Sequence, residues 1–195
     1  MTSADVVIVG GGVIGASVAY HLTQRGIRDV LVLERDRLGS GSTSRNAGGV
    51  RLQFSTEINV RMSQRSLPAL LRFEEEMGID PQFRQVGYLF LITKERDVAP
   101  FERSLALWRR LDVPAVRLGR GEIPAIFPEL SVDDVRFATF CASDGHADPN
   151  SILMGYVARA RDAGARFEEG ANVTAIDRDG DRITGVRCGE GSLRW

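Results

Sequence analysis

Three glycines and one acid carry the clearest chemical information in this chain. Val6 to Gly15 reads V-V-I-V-G-G-G-V-I-G, and a second apolar run ends in an acid, L-V-L-E at Leu31 to Glu34. The spacing of Gly10, Gly12 and Gly15 is that of a dinucleotide-binding turn. Gly10 permits the tight turn out of the strand. Gly12 has no Cβ, so backbone can approach a pyrophosphate closely, and Gly15 lets the following helix pack against the sheet. A pyrophosphate would then rest on the free N–H groups and positive dipole end of a helix that begins with Val13 and Ile14. Glu34 lies nineteen residues past Gly15, where a carboxylate accepts hydrogen bonds from ribose hydroxyls. Ala19 keeps that helix close to the strands, and Gly26 suits the left-handed position that ends it.

Other reactive residue types are sparse. His21 falls inside the first helix, and His146 in the loop D-G-H-A-D-P reads as turn or capping structure. Tyr88 sits in an apolar strand, where aromatic residues are usually core. Cys141 and Cys188 have neither C-x-x-C nor Cys/His spacing, which excludes a structural zinc site and leaves packed thiols. No Ser-His-Asp or Cys-His arrangement argues for hydrolysis.

The elements that must position these residues alternate along the chain. Strands are expected at about 5–10 and 29–34, with the first helix at 13–25 between them. Residues 36–53 are too rich in Gly and Ser for a regular element, and a loop of that length in a compact unit is usually functional. A helix at about 55–77 follows, with Ser55 as N-cap, Pro68 inside it as a kink or division, and Gly78 ending it. Strands at 86–93 and 135–142 flank helices at 95–111 and 120–127. Asp148-Pro149 starts a helix to about Ala163, the acid as cap and the proline in the first turn. Short strands at 166–168 and 172–178 precede a turn at Gly180-Asp181, and 182–188 pairs back as a hairpin. A Gly189-Glu190-Gly191 turn and a strand to Trp195 end the chain without a following element, as in the N-terminal piece of a longer protein.

The fold class expected is therefore α/β. A Rossmann-like dinucleotide-binding domain with a parallel sheet is interleaved with the start of an α+β substrate domain. The first would use residues 1–80 and 145–195 and the second 81–144, with the ligand in the crevice between them. Composition agrees with a soluble globular protein: 43% apolar and 26% charged residues are near average. A net charge of −1 gives no reason to expect nucleic acid or an acidic membrane surface as partner. No apolar run reaches the roughly 18–20 residues needed to span a bilayer. The first strand begins too near Met1 to leave room for a signal or transit peptide, so the expected location is cytoplasmic.

Taken together, three segments resemble the FAD-dependent amino-acid oxidoreductases of the D-amino-acid oxidase and sarcosine oxidase superfamily. They are the 6–34 fingerprint, the loop G-S-G-S-T-S-R-N-A-G-G-V-R at 39–51, and D-G-H-A-D-P at 144–149 with A-N-V-T-A-I at 171–176. Within it, G-G-V-R-L-Q-F at 48–54 and G-Y-L-F-L at 87–91 most resemble the β subunits of proline dehydrogenase and heteromeric sarcosine oxidase.

The resemblance implies FAD, and oxidation of a sarcosine-, proline- or dimethylglycine-like amine by hydride transfer to the flavin. It implies Gly10, Gly12, Val13, Ile14 and Gly15 at the pyrophosphate, Glu34 on the ribose, Arg35 beside the adenine, and Val173 against the adenine through its backbone. The loop residues Ser42, Thr43, Arg45, Asn46, Ala47, Gly48 and Gly49 would run past the pyrophosphate and the isoalloxazine.

Residue chemistry is compatible with these roles. Gly48 and Gly49 let a flat ring lie against backbone, and the Arg45 guanidinium offsets negative charge on phosphates or reduced flavin. Arg51 is the candidate clamp for a substrate carboxylate through a bidentate pair. Several relatives, such as dimethylglycine dehydrogenases, carry a loop histidine bonded covalently to FAD. The matching position here is Arg45, which implies non-covalent FAD. A flavoprotein hydroxylase using NAD(P)H, and a non-catalytic flavin-holding subunit or fragment that needs other subunits, are the alternative readings.

Overall fold

The computed structural model describes residues 3–189 and 193–194. Its elements, in chain order, are β1 (Val6–Val9), α1 (Val13–Gln24), β2 (Val30–Leu33), β3 (Gly49–Val50), α2 (Glu57–Leu71), α3 (Phe73–Met77), β4 (Tyr88–Ile92), α4 (Glu95–Arg110) and β5 (Ala115–Gly119). A 3₁₀ turn (Arg120–Ala125) leads on to β6 (Phe137–Cys141), β7 (Gly145–His146), α5 (Pro149–Asp162), β8 (Arg166–Glu168), β9 (Val173–Asp179), β10 (Arg182–Cys188) and β11 (Leu193–Arg194). They group into two compact units. One takes the chain up to Asn46, Phe73–Pro81 and the residues from Asp148 on; the other takes Ala47–Arg72 and Gln82–Ala147. Residues 47–72 thus group with 82–147, whereas the sequence placed its first boundary at 80.

The first unit is built on a parallel sheet in the order β1-β2-β8. All four residues of β2 are buried, and they alternate between two apolar layers. Val30 and Val32 join Ala19 of α1 and Ala160 of α5 on one face. Leu31 and Leu33 join Val186 and Cys188 of β10 on the other. Cover on both faces is why this strand is apolar without alternation. The second cover is an antiparallel sheet, β11-β10-β9, which is the hairpin expected around Gly180-Asp181. Of the expected terminal turn and strand, residues 190–192 and 195 lie outside the described residues, while Leu193 and Arg194 pair with Cys188 and Arg187.

Small residues set the helix packing here. Ala16 of α1 meets Leu153 and Val157 of α5. A Cβ on Gly155 would stand 2.6 Å from the Phe73 ring, so α3 and α5 approach one another only because that position is glycine.

The second unit holds the antiparallel sheet β4-β6-β5. One apolar cluster joins Ile92, Phe137 and Cys141 of the sheet to Leu105 and Trp108 of α4, and a second joins Leu118 and Ala138 to Ile123. A two-residue ladder pairs β3 with β7.

Several boundaries differ from the sequence reading. The helix expected over 55–77 is two helices: it passes through Pro68 and is interrupted at Arg72. Its N-cap is Thr56 rather than Ser55, and no side chain caps it. The strand β5 falls where the sequence showed none. Asp148 caps α5 as expected, its carboxylate accepting from the N–H groups of Asn150 and Ser151. Among the described residues no helix is long and apolar enough to cross a membrane.

Candidate functional site

The glycine turn begins where β1 gives out. Gly10 has φ +109°, a conformation that disfavours side chains, and its N–H donates to the Leu33 carbonyl at 2.8 Å. A Cβ on Gly15 would run into the carbonyl oxygen of Gly10, a backbone atom that cannot step aside. Gly11 is constrained by side chains instead, since its Cβ would meet Leu38 Cδ2 at 2.5 Å and Glu34 Cβ at 2.8 Å. At the mouth of α1, Gly12 is an N-cap with no side-chain bond, and no acid occupies the first turn. The first turn of the helix, with Val13 and Ile14, thus carries no acidic side chain of its own to offset its positive end.

Two side chains finish this cradle. Glu34 Oε2 accepts the Gly11 N–H at 2.7 Å and Oε1 accepts the Asp36 N–H at 3.0 Å. The carboxylate is therefore fixed in position, and its remaining lone pairs can accept two further donors. Thr43 is buried, and its Oγ1 accepts the Val13 N–H at 3.0 Å. That leaves the hydroxyl proton free to turn toward an acceptor, and the oxygen lies 3.1 Å from where a Gly12 Cβ would be.

The intervening loop is tied down by backbone and side-chain bonds. Gly39 donates to Gly11 O at 3.1 Å, Leu38 donates to the Glu169 carboxylate at 2.6 Å, and Asn46 Nδ2 donates to Thr43 O at 2.5 Å. Ser42 and Arg45 are exposed on this loop. Arg35 is exposed too, beside Asp36 at 3.2 Å. Val173 packs against the Leu31–Leu33 layer at the start of β9.

In the second unit the chain enters at Ala47. Gly48, with φ +69°, accepts the Ala147 N–H at 2.9 Å, and Gly49 pairs with His146. Behind them lies a buried polar network. Asp144, 1% exposed, accepts the Leu52 N–H at 2.8 Å and the Gln53 amide at 3.2 Å. Gln53 donates also to Tyr88 O, and its carbonyl accepts the Thr139 hydroxyl at 2.8 Å. This network holds the two residues that follow Arg51.

Arg51 itself lies among three rings, 5.1 Å from Tyr88, 5.6 Å from Phe54 and 5.7 Å from Phe90. Its Nε is buried with no hydrogen-bond partner. The side chain lines a cavity of about 540 Å³, together with Gln53, Phe54, Ser55, Phe90, Phe101, Arg103, Ser104, Leu107 and Trp108.

The residues singled out from sequence thus form two groups, each within its own unit. Gly10, Gly12, Gly15, Glu34 and Thr43 converge on the start of α1, and Arg51 opens into the cavity. His21 is exposed on α1, and His146 is exposed in β7. Both thiols are buried and free. Gly11, Gln53 and Asp144 were not anticipated. The only hint of them in the sequence is that Gly11 falls within the G-G-G run and Asp144 opens D-G-H-A-D-P.

A parallel sheet whose first strand delivers this turn, with an anchored acid at the end of the second, defines a dinucleotide-binding α/β protein. More particularly, the chain belongs to the FAD dependent oxidoreductase family, which matches residues 5–194. It is 33% identical over 192 residues to mitochondrial dimethylglycine dehydrogenase of Rattus norvegicus, covering 98% of this chain and 22% of that protein. It is 35% identical to FAD-dependent oxidoreductase domain-containing protein 1 of Xenopus laevis, covering 95% and 41%. Among solved structures, L-proline dehydrogenase from P. horikoshii superposes with a TM-score of 0.88 at 33% identity, covering 98% of this chain and 50% of that one. The chain spans between about a fifth and a half of the length of these relatives. The family's cofactor is FAD, and the first unit fits it: the first turn of α1 has no acid of its own, the Glu34 carboxylate is pre-positioned, and a Cβ at Gly15 would block the turn.

Proposed function

We propose that this chain is the FAD-holding part of an oxidoreductase acting on an amine or amino acid of the sarcosine, proline or dimethylglycine kind. The observation that carries the reading is the Glu34 carboxylate, fixed by the N–H groups of Gly11 and Asp36 beside the glycine turn, in a chain of this family. Bound FAD would supply the hydride acceptor; the protein supplies orientation and electrostatics. Gly10, Gly12 and Gly15, with the N–H groups at Val13 and Ile14, hold the pyrophosphate. Glu34 accepts from the ribose, Arg35 and Val173 flank the adenine, and Thr43 turns its hydroxyl to a phosphate oxygen. Ser42, Arg45, Asn46, Ala47, Gly48 and Gly49 form the segment along the rest of the cofactor, with Arg45 offsetting negative charge.

Arg51 binds the substrate carboxylate. A guanidinium whose buried Nε has no partner gains most from a carboxylate that pairs with it through two parallel bonds. The first unit is the cofactor domain and the second the start of the substrate domain.

FAD is held without a covalent bond, because Arg45 stands where several relatives place a histidine. Precipitating the loaded protein with acid should leave the flavin in the supernatant; flavin retained in the pellet would contradict this. The relatives devote half or more of their length to residues with no counterpart here, so turnover is expected from an assembly or longer protein rather than from this chain alone. Likeness to β subunits supports assembly with other subunits, and two buried free thiols suit a reducing, cytoplasmic setting.

The chemistry is tested by anaerobic bleaching of the flavin in the loaded protein, supplemented with the missing part if required. Bleaching by proline, sarcosine or dimethylglycine, but not by NADPH, is expected. Bleaching by NADPH alone would favour a hydroxylase.

A further inference from the structure

Taking the proposed Arg51 carboxylate clamp as given, we infer that the cavity of the second unit is built for a carboxylate that also carries a flat apolar substituent, rather than for the smallest amino acids. Four observations support this. The space is about 540 Å³, well within the range of about 300–1,000 Å³ typical of pockets for larger ligands, and a glycine-sized molecule would leave most of it unfilled. Four of its eleven lining residues are aromatic: Phe54, Phe90 and Phe101, with Phe90 and Phe101 5.8 Å apart in a tilted pair, and Trp108, which backs them from the core. The wall is also fixed, because Trp108 Nε1 donates to the Phe54 carbonyl at 2.8 Å. Finally, its charge is of one sign. Arg51 and Arg103 line it, and no Asp or Glu does.

These features divide the ligand into two parts. The carboxylate pairs with Arg51, whose guanidinium is already stacked among rings and whose Nε lacks a partner. The flat substituent lies against the aromatic wall, where offset and edge-on ring contacts add to the burial of apolar area. Arg103, exposed where it borders the cavity, adds positive charge that attracts the anion. The class is thus a sarcosine-like amino acid that carries an aromatic substituent on nitrogen or on the α-carbon.

Binding is read from Trp108 fluorescence in the full chain carrying Trp195→Phe, which leaves Trp108 as the sole tryptophan. The probes are N-benzylglycine, sarcosine and N-methylbenzylamine, the last an aromatic amine without a carboxylate. N-benzylglycine should bind at least tenfold more tightly than sarcosine, and N-methylbenzylamine should bind at least tenfold more weakly than N-benzylglycine. Arg51→Gln should weaken N-benzylglycine at least tenfold, with Arg51→Lys intermediate. Equal affinity for sarcosine and N-benzylglycine, or no response to any probe, overturns the inference, and neither comparison depends on an Arg51 variant folding. A parallel titration with FAD, read by flavin fluorescence, separates the two readings. Probe binding without FAD binding sinks the flavin assignment and spares the cavity; FAD binding without discrimination among the probes does the reverse.

Discussion

At the scale of single residues, the glycine turn is built from atoms that have no room to move. A Cβ at Gly15 meets the backbone oxygen of Gly10, so relief would require β1 and α1 to separate. Gly15→Ala should therefore lower stability by about 1–3 kcal/mol, the usual cost of overpacking, and weaken FAD binding at least tenfold. Thermal unfolding and flavin titration check the two halves. Asp144 makes a comparable case in the second unit. Removing its carboxylate strands the Leu52 N–H and frees the Gln53 amide from one of its acceptors. Asp144→Ala should cost about 1–3 kcal/mol, and Asp144→Asn less, because its carbonyl still accepts; urea denaturation of the three proteins ranks them. Cys141 offers a chemical check. Burial pushes its thiol above the usual range, against a lowering hydrogen bond with the Ser143 hydroxyl. At neutral pH it should resist alkylation in the folded chain and react after denaturation, since only the exposed thiolate is nucleophilic.

At the scale of elements, α5 shows how a local signal becomes a measurable stability. The Ser151 hydroxyl, at 2.6 Å, and the N–H groups of Ser151 and Asn150 hold the Asp148 carboxyl below its usual range. Asp148→Ala should cost about 1 kcal/mol. The folded pKa lies below the unfolded one, so this contribution is complete above the ordinary aspartate value of about 3.9 and is lost as pH falls through the lower folded value. Denaturation midpoints of the variant and the parent should thus converge in acid; a constant gap would contradict the cap.

Legibility from sequence followed the range of the interactions. The strand–turn–helix at Val6–Gln24, the buried run Val30–Leu33 and the Asp-Pro start of α5 are specified by neighbours in the chain. By contrast, β5 has two exposed residues in five and little apolar signal, and β3 and β7 are two-residue strands with meaning only as a pair. The site divides the same way. Glu34 was readable from its distance to the glycines. Asp144 supports Leu52 and Gln53 across 92 and 91 residues, and Gly11 is demanded by a leucine and an acid further on; no local pattern encodes such contacts.

At the scale of the whole molecule, the proposed function assigns the two units separable duties, cofactor cradle and substrate cavity, so that each can fail alone. The central claim is that the first unit is an FAD cradle, and a side-by-side titration of the purified chain with FAD and with NAD tests it most directly. Saturable binding of FAD is expected, at least tenfold tighter than NAD, with Glu34→Gln and Gly15→Ala each weakening FAD by a similar factor. Preference for NAD, or FAD affinity unchanged by both substitutions, would contradict it.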